Sequence, residues 1–406
     1  MDQHSCCEVC LSELSGPIID LGLHPLCDDF TSPEDSEMAE SFHQEIVLCR
    51  NCLTAHQLHP VKKEKLFKPD YHYRAGLTKD VLSGMADLAA EILDRRSTST
   101  EICTILDIGC NDGSLLEIFK KRIPCIAIGV DPTNAVLDEH NRIDLRIQGF
   151  FDRTCVERIR LVHEKIDIIT FTNVFAHIEN LPELIRNVSA LMSDETLLVI
   201  ENHYLGAILE RNQFDTFYHE HPRTYSLKSF KFIADSMDAA IVDVSFPSRY
   251  GGNIRVTIKK AGSPIDISRF LEREDGFLEQ FIKMQQFFVA WKSASVSKIQ
   301  ELALRGPLFG KALPGRAVML INALGVNENM MPIIFEQNSS LKVGFLVPGT
   351  KIEVVADKEL AHYNPKVLIL WAWHIAEEVC EYLRLIGFKG EIWVPLPRFE
   401  RYTVIE

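Results

Sequence analysis

The sequence predicts an α/β protein of three units: a small cysteine-rich N-terminal unit, a central Rossmann-like unit, and a second, smaller Rossmann-like unit at the C-terminus. Three observations predict it. Two Cys-x-x-Cys pairs, Cys7/Cys10 and Cys49/Cys52, lie in the first 52 residues. The stretch from Thr104 to Pro132 (TILDIGCNDGSLLEIFKKRIPCIAIGVDP) reads as apolar strand, glycine turn, helix, and a second strand ending in an acid. Apolar, strand-like runs then return beyond residue 306. Strands alternating with helices pair in parallel and carry their ligand beyond the strands' carboxyl ends. The expected bounds are 1–65, 66–260, a helical connector over 261–305, and 306–406.

A chain of 406 residues exceeds what one hydrophobic core serves. It is 46% hydrophobic and 25% charged, an ordinary balance for a water-soluble protein. No apolar run reaches the roughly 18 residues a bilayer span needs. The N-terminus, MDQHSCCEVC, lacks the basic and apolar segments of a signal peptide, so a cytoplasmic location is expected. The net charge of −14 argues against nucleic acid and anionic membrane as partners.

Six of the eleven cysteines fall at Cys6, Cys7, Cys10, Cys27, Cys49 and Cys52. In a reducing compartment such clustering reads as metal binding rather than disulfides. Cys7, Cys10, Cys49 and Cys52 would close a tetrahedral Zn2+ site, which has no open position and is therefore structural. Cys6 could replace Cys7 in register, and His56 and His59 are read as non-ligands. Next, FKPDYHYRAGLTKD is rich in turn formers and aromatics. MADLAAEILDRR has helical periodicity and ends at the polar STST linker. Tyr71 and Tyr73 alternate, so in an extended stretch they face one way, either to close over the cofactor or to pack on the surface.

The turn after the first central strand decides the ligand class. A dinucleotide fingerprint needs a glycine where the backbone touches pyrophosphate. Here the order is Gly109-Cys110-Asn111-Asp112-Gly113, and the Asp112 carboxylate would repel a phosphate. A phosphate-free ligand with a positive centre fits, which describes S-adenosylmethionine (SAM). Asp131, about 20 residues on, stands where an acid accepts hydrogen bonds from ribose hydroxyls. Ser114 to Lys121 reads as the following helix. A helix is expected near NAVLDEH, a third strand at LRIQGFFD, a fourth at Ile166-DIITFTN and a fifth at Glu195-TLLVIEN. LPELIRNVSALM reads as an amphipathic helix. The first four strand exits would bring Asp107, Gly109, Asp131, Phe150, Phe151 and the segment from Asn173 to His177 to the ligand.

Residues 213–230, QFDTFYHEHPRTYSLKSF, put Tyr218, His219, Glu220 and His221 in a row. This is not HExxH, whose histidines lie one helical turn apart and share a metal. In an extended segment His219 and His221 would share a face, with Glu220 on the other. Such a set suits proton abstraction beside a carbonyl. One neutral histidine takes the proton, a tyrosine or second histidine stabilises the enolate oxygen, and the glutamate fixes a tautomer. The residues alone do not choose between His219 and His221. RYGGNIRVTIKK is a glycine turn entering a strand, where Arg249, Gly251, Gly252 and Arg255 either cradle an anion or form a simple hairpin. Residues 266–305 are helical with an apolar face. RAVMLINALG, MPIIFEQN, KVGFLVPGT, PKVLILWAW and EIWVPLP read as successive strands and their exits.

In order, the paired CxxC, DYHYRAG, LDIGCNDG, NVFAHIEN, FDTFYHEHPRTYS, YGGN, KVGFLVPGT, LWAWHIAEE and VPLP span nearly the whole chain. On these motifs the chain resembles the three-domain SAM-dependent C-methyltransferases of nucleotide-linked deoxysugars. The resemblance implies a zinc-binding N-terminal domain and a central class I SAM-methyltransferase domain. It also implies a C-terminal Rossmann-like domain that helps hold a nucleotide-linked keto sugar. Its cofactors would be SAM and Zn2+. Its chemistry would be deprotonation beside a ketone, then attack of the enolate on the SAM methyl. His221 would be the base, assisted by Tyr218 and Glu220. His177 and Asn173 would lie near the substrate, with Tyr71 or Tyr73 closing the site. Asp107, Gly109, Asn111, Asp112, Gly113, Asp131, Phe151 and Asn173 would form the SAM site.

The sequence departs from the family pattern outside that site. Asn322-ALGVNEN replaces a glycine-alanine-lysine-glycine turn, Asn253 a serine, Tyr250 a histidine, and His374 an asparagine. Two other readings are an O- or N-methyltransferase, with the same histidine deprotonating a hydroxyl or amine, and a non-catalytic zinc-bearing scaffold. The expected partner is a small molecule, with no nucleic acid and no membrane, for a monomer or small homo-oligomer.

Overall fold

The computed structural model describes residues 6–35, 39–69, 71–77, 79–95, 102–138 and 143–406, and the backbone but not the side chain of Tyr250. The STST linker and the end of NAVLDEH lie outside these residues. Three sheets organise the chain. Antiparallel β1 (Ile19–Pro25), β2 (Ser41–Leu48) and β3 (Ala55–Gln57) open the first. The central sheet follows with β4 (Cys103–Ile108), β5 (Cys125–Asp131), β6 (Leu145–Gln148), β7 (Ile168–Thr172) and β8 (Leu197–His203). The two-residue β9 (Arg223–Thr224) returns to pair with β3 and so stitches the first sheet to the second unit. β10 (Ala240–Ser245) and β11 (Asn253–Lys259) complete the central order β10-β11-β8-β7-β4-β5-β6.

The central elements follow from their residues. All six residues of β4 are buried, as a parallel strand covered on both faces requires, with Thr104 and Asp107 the polar members of an otherwise apolar run. The helix Ser114–Arg122 ends in Lys120, Lys121 and Arg122, which complement its carboxyl-end dipole. The helix Leu181–Leu191 starts from Asn180, whose side chain accepts from the Glu183 N–H, with proline in its first turn. β5 and β6 lie on one side of β4, and β7 and β8 on the other. The strand order therefore reverses between β4 and β7, and a crevice opens beyond their carboxyl ends.

The helix Phe277–Ala303 buries Phe277, Phe281, Met284, Phe288, Trp291, Ile299 and Leu302 on one face. That face is the spine of a core drawing on all three sheets' regions, from Ile19 and Leu48 to Phe214 and to Leu320 and Trp371. Trp291 also donates from Nε1 to the Pro395 carbonyl at 2.7 Å. The last sheet comprises β12 (Phe309–Lys311), β13 (Ile333–Glu336), β14 (Glu353–Ala356), β15 (Val367–Leu370), β16 (Gly390–Val394) and β17 (Glu400–Ile405). Its order is β14-β13-β12-β15-β16-β17, parallel except for β16 with β17. Here too the order reverses, between β12 and β15. Among the described residues no helix is long and apolar enough to cross a membrane.

Several expected elements differ. RAVMLINALG is not a strand but the helix Gly315–Ala323, entered from Pro314. Arg316 to Ile321 are all buried, and a helix buried on every side shows no 3.6-residue periodicity to tell it from a strand. The first C-terminal strand is instead β12, and its exit is Lys311-ALPG. The supposed departure at Asn322 therefore sits at the far end of a helix and not at a strand exit. KVGFLVPGT forms turns, because Pro348 and Gly349 (φ +76°) break the run, and only Leu346 makes bridges, to Thr31 and Glu353. Among the described residues of NAVLDEH, Asn134–Leu137 form a 3-10 turn capped by Thr133.

Candidate active site

The N-terminal thiols form two matching knuckles. The Leu11 N–H donates to the Cys7 carbonyl at 2.8 Å and the Leu53 N–H to the Cys49 carbonyl at 2.9 Å, with φ of +60° and +58° at these two leucines. Each turn thus aims two sulfurs at one point. The four Sγ atoms lie within 4.8 Å of one another, with Cys7–Cys52 at 3.4 Å and Cys10–Cys49 at 3.5 Å. Cys6 is exposed, and Cys7 takes the place in the cluster. Crowding drives Cys7 up and Cys49 down, since one thiolate accepts hydrogen bonds from its neighbours. Four buried or half-buried sulfurs at these spacings fit a closed Zn2+ site. His56 adds an outer contact, Nε2 to Cys7 Sγ at 3.2 Å, of the kind that orients a ligand.

At the carboxyl end of β4, Gly109 takes φ +73° and donates to the Val130 carbonyl at 2.7 Å. A Cβ there would fall 2.4 Å from the methyls of Val174, so only glycine lets the β4 and β7 exits touch. Asp131 closes β5. Its Oδ1 accepts from Thr133 N–H (2.8 Å) and hydroxyl (2.6 Å), and its Oδ2 from Asn111 N–H at 2.8 Å. Oδ2 keeps one lone pair for a hydroxyl such as that of a ribose. This glycine cradle beside a poised carboxylate fits SAM. Asn111 and Asp112 are otherwise engaged. Asn111 accepts from Ala75 N–H at 2.9 Å and donates to the Tyr73 carbonyl, and Asp112 accepts from Gly76 N–H at 2.7 Å. Both therefore clamp the 73–76 segment across the turn. Gly113, at φ +78°, precedes the helix. Asp107 is buried between strands, bonded by Thr170 at 2.7 Å, and burial pushes its carboxyl up to about 7. Phe151 packs on the central core, while Phe150 lies under the Lys63 ammonium.

The YHEH segment is a turn, not an extended strand, closed by His221 N–H on the Tyr218 carbonyl at 2.9 Å. Its histidines consequently part. His219 runs to the Phe42 carbonyl of β2, 3.3 Å away, and packs edge-on to that ring. His221 joins Tyr218 (ring centroids 4.2 Å apart), His177 (4.7 Å) and His203 (5.3 Å). The Nδ1 atom of His221 lies 2.8 Å from the Thr216 carbonyl. Burial lowers all four imidazoles, His177 and His219 to about 4, His203 to about 3, and His221 well below the usual range. Glu220 turns the other way and accepts from the Tyr71 hydroxyl at 2.9 Å. Burial first, and the Asp28 carboxylate second, push Glu220 up to about 8. Tyr73 is 39% exposed and lies in the neighbourhood of Tyr218. His203, at the end of β8, was not expected; ENH at a strand exit repeats the placing of His177 and was the available signal.

Asn173, at φ +55°, donates its N–H to the Glu201 carbonyl at 2.7 Å and accepts from Asn253 at 3.2 Å. Arg249 and Arg255 do not cradle a free anion. Both pair with the fully buried Glu201, and Arg255 also with Glu91. Gly84 makes room for this, because a Cβ there would overlap the Arg249 guanidinium. From the last sheet, Arg316 and Trp373 follow β12 and β15 and both reach Asp215, just before the turn. The C-terminal crevice and the central one therefore meet at the same loop.

Residues 7–67 match the family profile of a zinc binding domain, residues 73–244 that of a methyltransferase domain, and residues 248–397 that of a C-methyltransferase C-terminal domain. The sequence is 26% identical over 406 residues to the C-methyltransferase NovU of Streptomyces niveus, covering 96% of this chain and 95% of that protein. The plantazolicin methyltransferase BpumL in complex with SAH superposes with a TM-score of 0.34 at 16% identity, over 44% of this chain and 82% of its own. The mitomycin 7-O-methyltransferase MmcR does so with a TM-score of 0.35 at 15% identity, over 45% and 55%. With the three profiles in this order along a chain whose thiols suit zinc and whose β4 turn suits SAM, the protein is a SAM-dependent methyltransferase that joins a zinc binding domain, a methyltransferase domain and a C-methyltransferase C-terminal domain.

Proposed function

We propose that the protein methylates the carbon beside the ketone of a nucleotide-linked deoxy keto sugar, through an enolate formed by His221 as base. One observation carries the choice of base: His221 Nδ1 lies 2.8 Å from the Thr216 carbonyl. A carbonyl only accepts, so Nδ1 holds the proton and Nε2 keeps its lone pair. Burial, then the neighbouring His177 and His203, keep the ring neutral at neutral pH. His219, spent on Phe42, is left out of the reaction.

The surrounding groups suit an anion that forms during the reaction. Burial holds the Tyr218 phenol well above its usual range, so its hydroxyl stays a donor for the enolate oxygen. His177 is neutral and half-buried beside it. Glu220, with its carboxyl near 8, is mostly protonated at pH 7 and does not repel the enolate. Tyr71 orients that carboxyl, and Tyr73 and Asn173 flank the acceptor. Gly109, Gly113, Asp131 and Phe151 hold the cofactor, while Asn111 and Asp112 fasten the 73–76 segment over it. When bound, SAM supplies a methyl group on a sulfonium centre. The likeness to a named C-methyltransferase supports a carbon acceptor, and the crevice at β12/β15 supports a nucleotide-linked one.

The test is hydrogen exchange in D2O. With a keto-sugar nucleotide and demethylated cofactor, the wild type should place deuterium at the carbon beside the ketone, and His221→Ala should not. A wild type that methylates the sugar yet exchanges no such hydrogen would overturn the carbon mechanism and point to methylation of oxygen.

A further inference from the structure

We infer that His43, Glu45 and His59 form a second metal site, open to solvent, on the N-terminal sheet. It would take a divalent cation of the zinc type and is independent of the four thiols. His43 and Glu45 are two residues apart on β2 and so share one face. His59 follows β3, the neighbouring strand, and the Leu58 N–H donates to the Glu45 carbonyl at 2.9 Å, which fixes His59 beside Glu45. One donor atom from each of the three side chains lies within 4.8 Å of the others. His59 Nε2 is 2.8 Å and His43 Nδ1 is 3.6 Å from Glu45 Oε2, and the two imidazoles stack nearly parallel at 6°. Zinc bonds to nitrogen and oxygen of about 2.0–2.2 Å separate neighbouring donors by about 3–4 Å. Small rotations of exposed side chains bring the three to that spacing.

A second relationship fits the metal reading, because an outer carboxylate orients His43. Asp20 Oδ1 is 3.0 Å from His43 Nε2, and the same oxygen accepts from the Gly22 N–H at 2.8 Å. The register of β1 against β2 shifts between Asp20 and Leu23, and such a bulge re-aims its side chains. A carboxylate only accepts, so the His43 Nε2 proton goes to Asp20, and Nδ1 is the ring nitrogen turned toward Glu45. Carboxylate, then histidine, then metal is the usual relay by which an outer group orients a ligand. The side chains of His43, Glu45 and His59 are 42%, 19% and 24% exposed, so coordination positions remain for water or an outside ligand, unlike the closed thiolate site.

The test uses the full chain, stripped by chelator, reloaded with Zn2+ alone and passed over a desalting column. Metal content is then read by mass spectrometry. The wild type should hold two equivalents. His59→Ala and Glu45→Gln should each hold one, with unchanged circular dichroism and the thiolate-bound equivalent intact. Asp20→Asn, which leaves every ligand in place, should weaken the second equivalent by about 10–100-fold. A wild type holding one equivalent leaves only a His59–Glu45 ion pair and overturns the site. Two tight equivalents in both ligand variants would overturn it as well.

Discussion

Arg316 grips Asp215 with Nε at 2.8 Å and Nη2 at 2.7 Å, and both side chains are buried. Trp373 Nε1 donates to the same carboxylate at 2.8 Å. The next residue is Thr216, whose carbonyl faces His221. The last sheet thus anchors the loop that carries the central histidine. Arg316→Met should cost about 3–5 kcal/mol, because it leaves a buried carboxylate without its cation. Urea unfolding reads the loss. Turnover should fall more than SAM affinity, and equal losses in both would show that the anchor serves the cofactor instead.

His221→Ala should lower turnover by about two to four orders of magnitude, the usual worth of a general base. SAM affinity, measured by calorimetry, should stay within a few-fold. His219→Ala should instead lower thermal stability and leave most of the turnover. If the two variants exchange these effects, the base is His219.

Asp131→Ala should weaken SAM binding before it slows transfer at saturating cofactor. Gly109→Ala should do the same for a different reason: a side chain at φ +73° is strained and meets Val174. Titration with SAM separates both from a general folding defect, which would show in the unfolding curve.

The raised carboxyl of Glu220 makes a signed prediction. Its folded pKa of about 8 exceeds the unfolded value of about 4.5. Between those values the folded state binds the extra proton, so this group's contribution to stability falls as pH rises. Glu220→Gln keeps an acceptor for Tyr71 but cannot titrate. The variant should therefore gain on the wild type as pH rises from about 4.5 to 8, by at most about 1.4 kcal/mol per unit crossed. Parallel stability curves against pH would refute the shift.

Cys49→Ser should remove the thiolate-bound zinc and lower solubility and melting temperature before it alters chemistry, since a closed metal site contributes folding energy. Metal analysis and thermal unfolding check this. A stable, fully loaded variant would remove Cys49 from the ligand set.

How far the chain could be read before folding depended on the range of the interactions involved. Local rules sufficed for the CxxC pairs, for the glycine turn after β4 and for Asp131, because each is defined by residues close in sequence. They failed for RAVMLINALG, since complete burial erases the periodicity that marks a helix. They failed again for YHEH: an extended segment puts His219 and His221 on one face, but the turn at Tyr218 sends them to different partners.

The sequence by itself determined that a zinc-type thiol cluster, a phosphate-free nucleoside turn and a histidine-rich loop occur in one chain. Each is written in adjacent residues whose backbone geometry and charge are decided locally. Only the tertiary structure decided which groups meet. It set His221 among Tyr218, His177 and His203, spent Arg249 and Arg255 on Glu201, and bound Asp215 to Arg316 from a sheet begun some hundred residues later. Those contacts depend on packing between sheets, where burial makes an unpaired charge so costly that each finds a partner far along the chain.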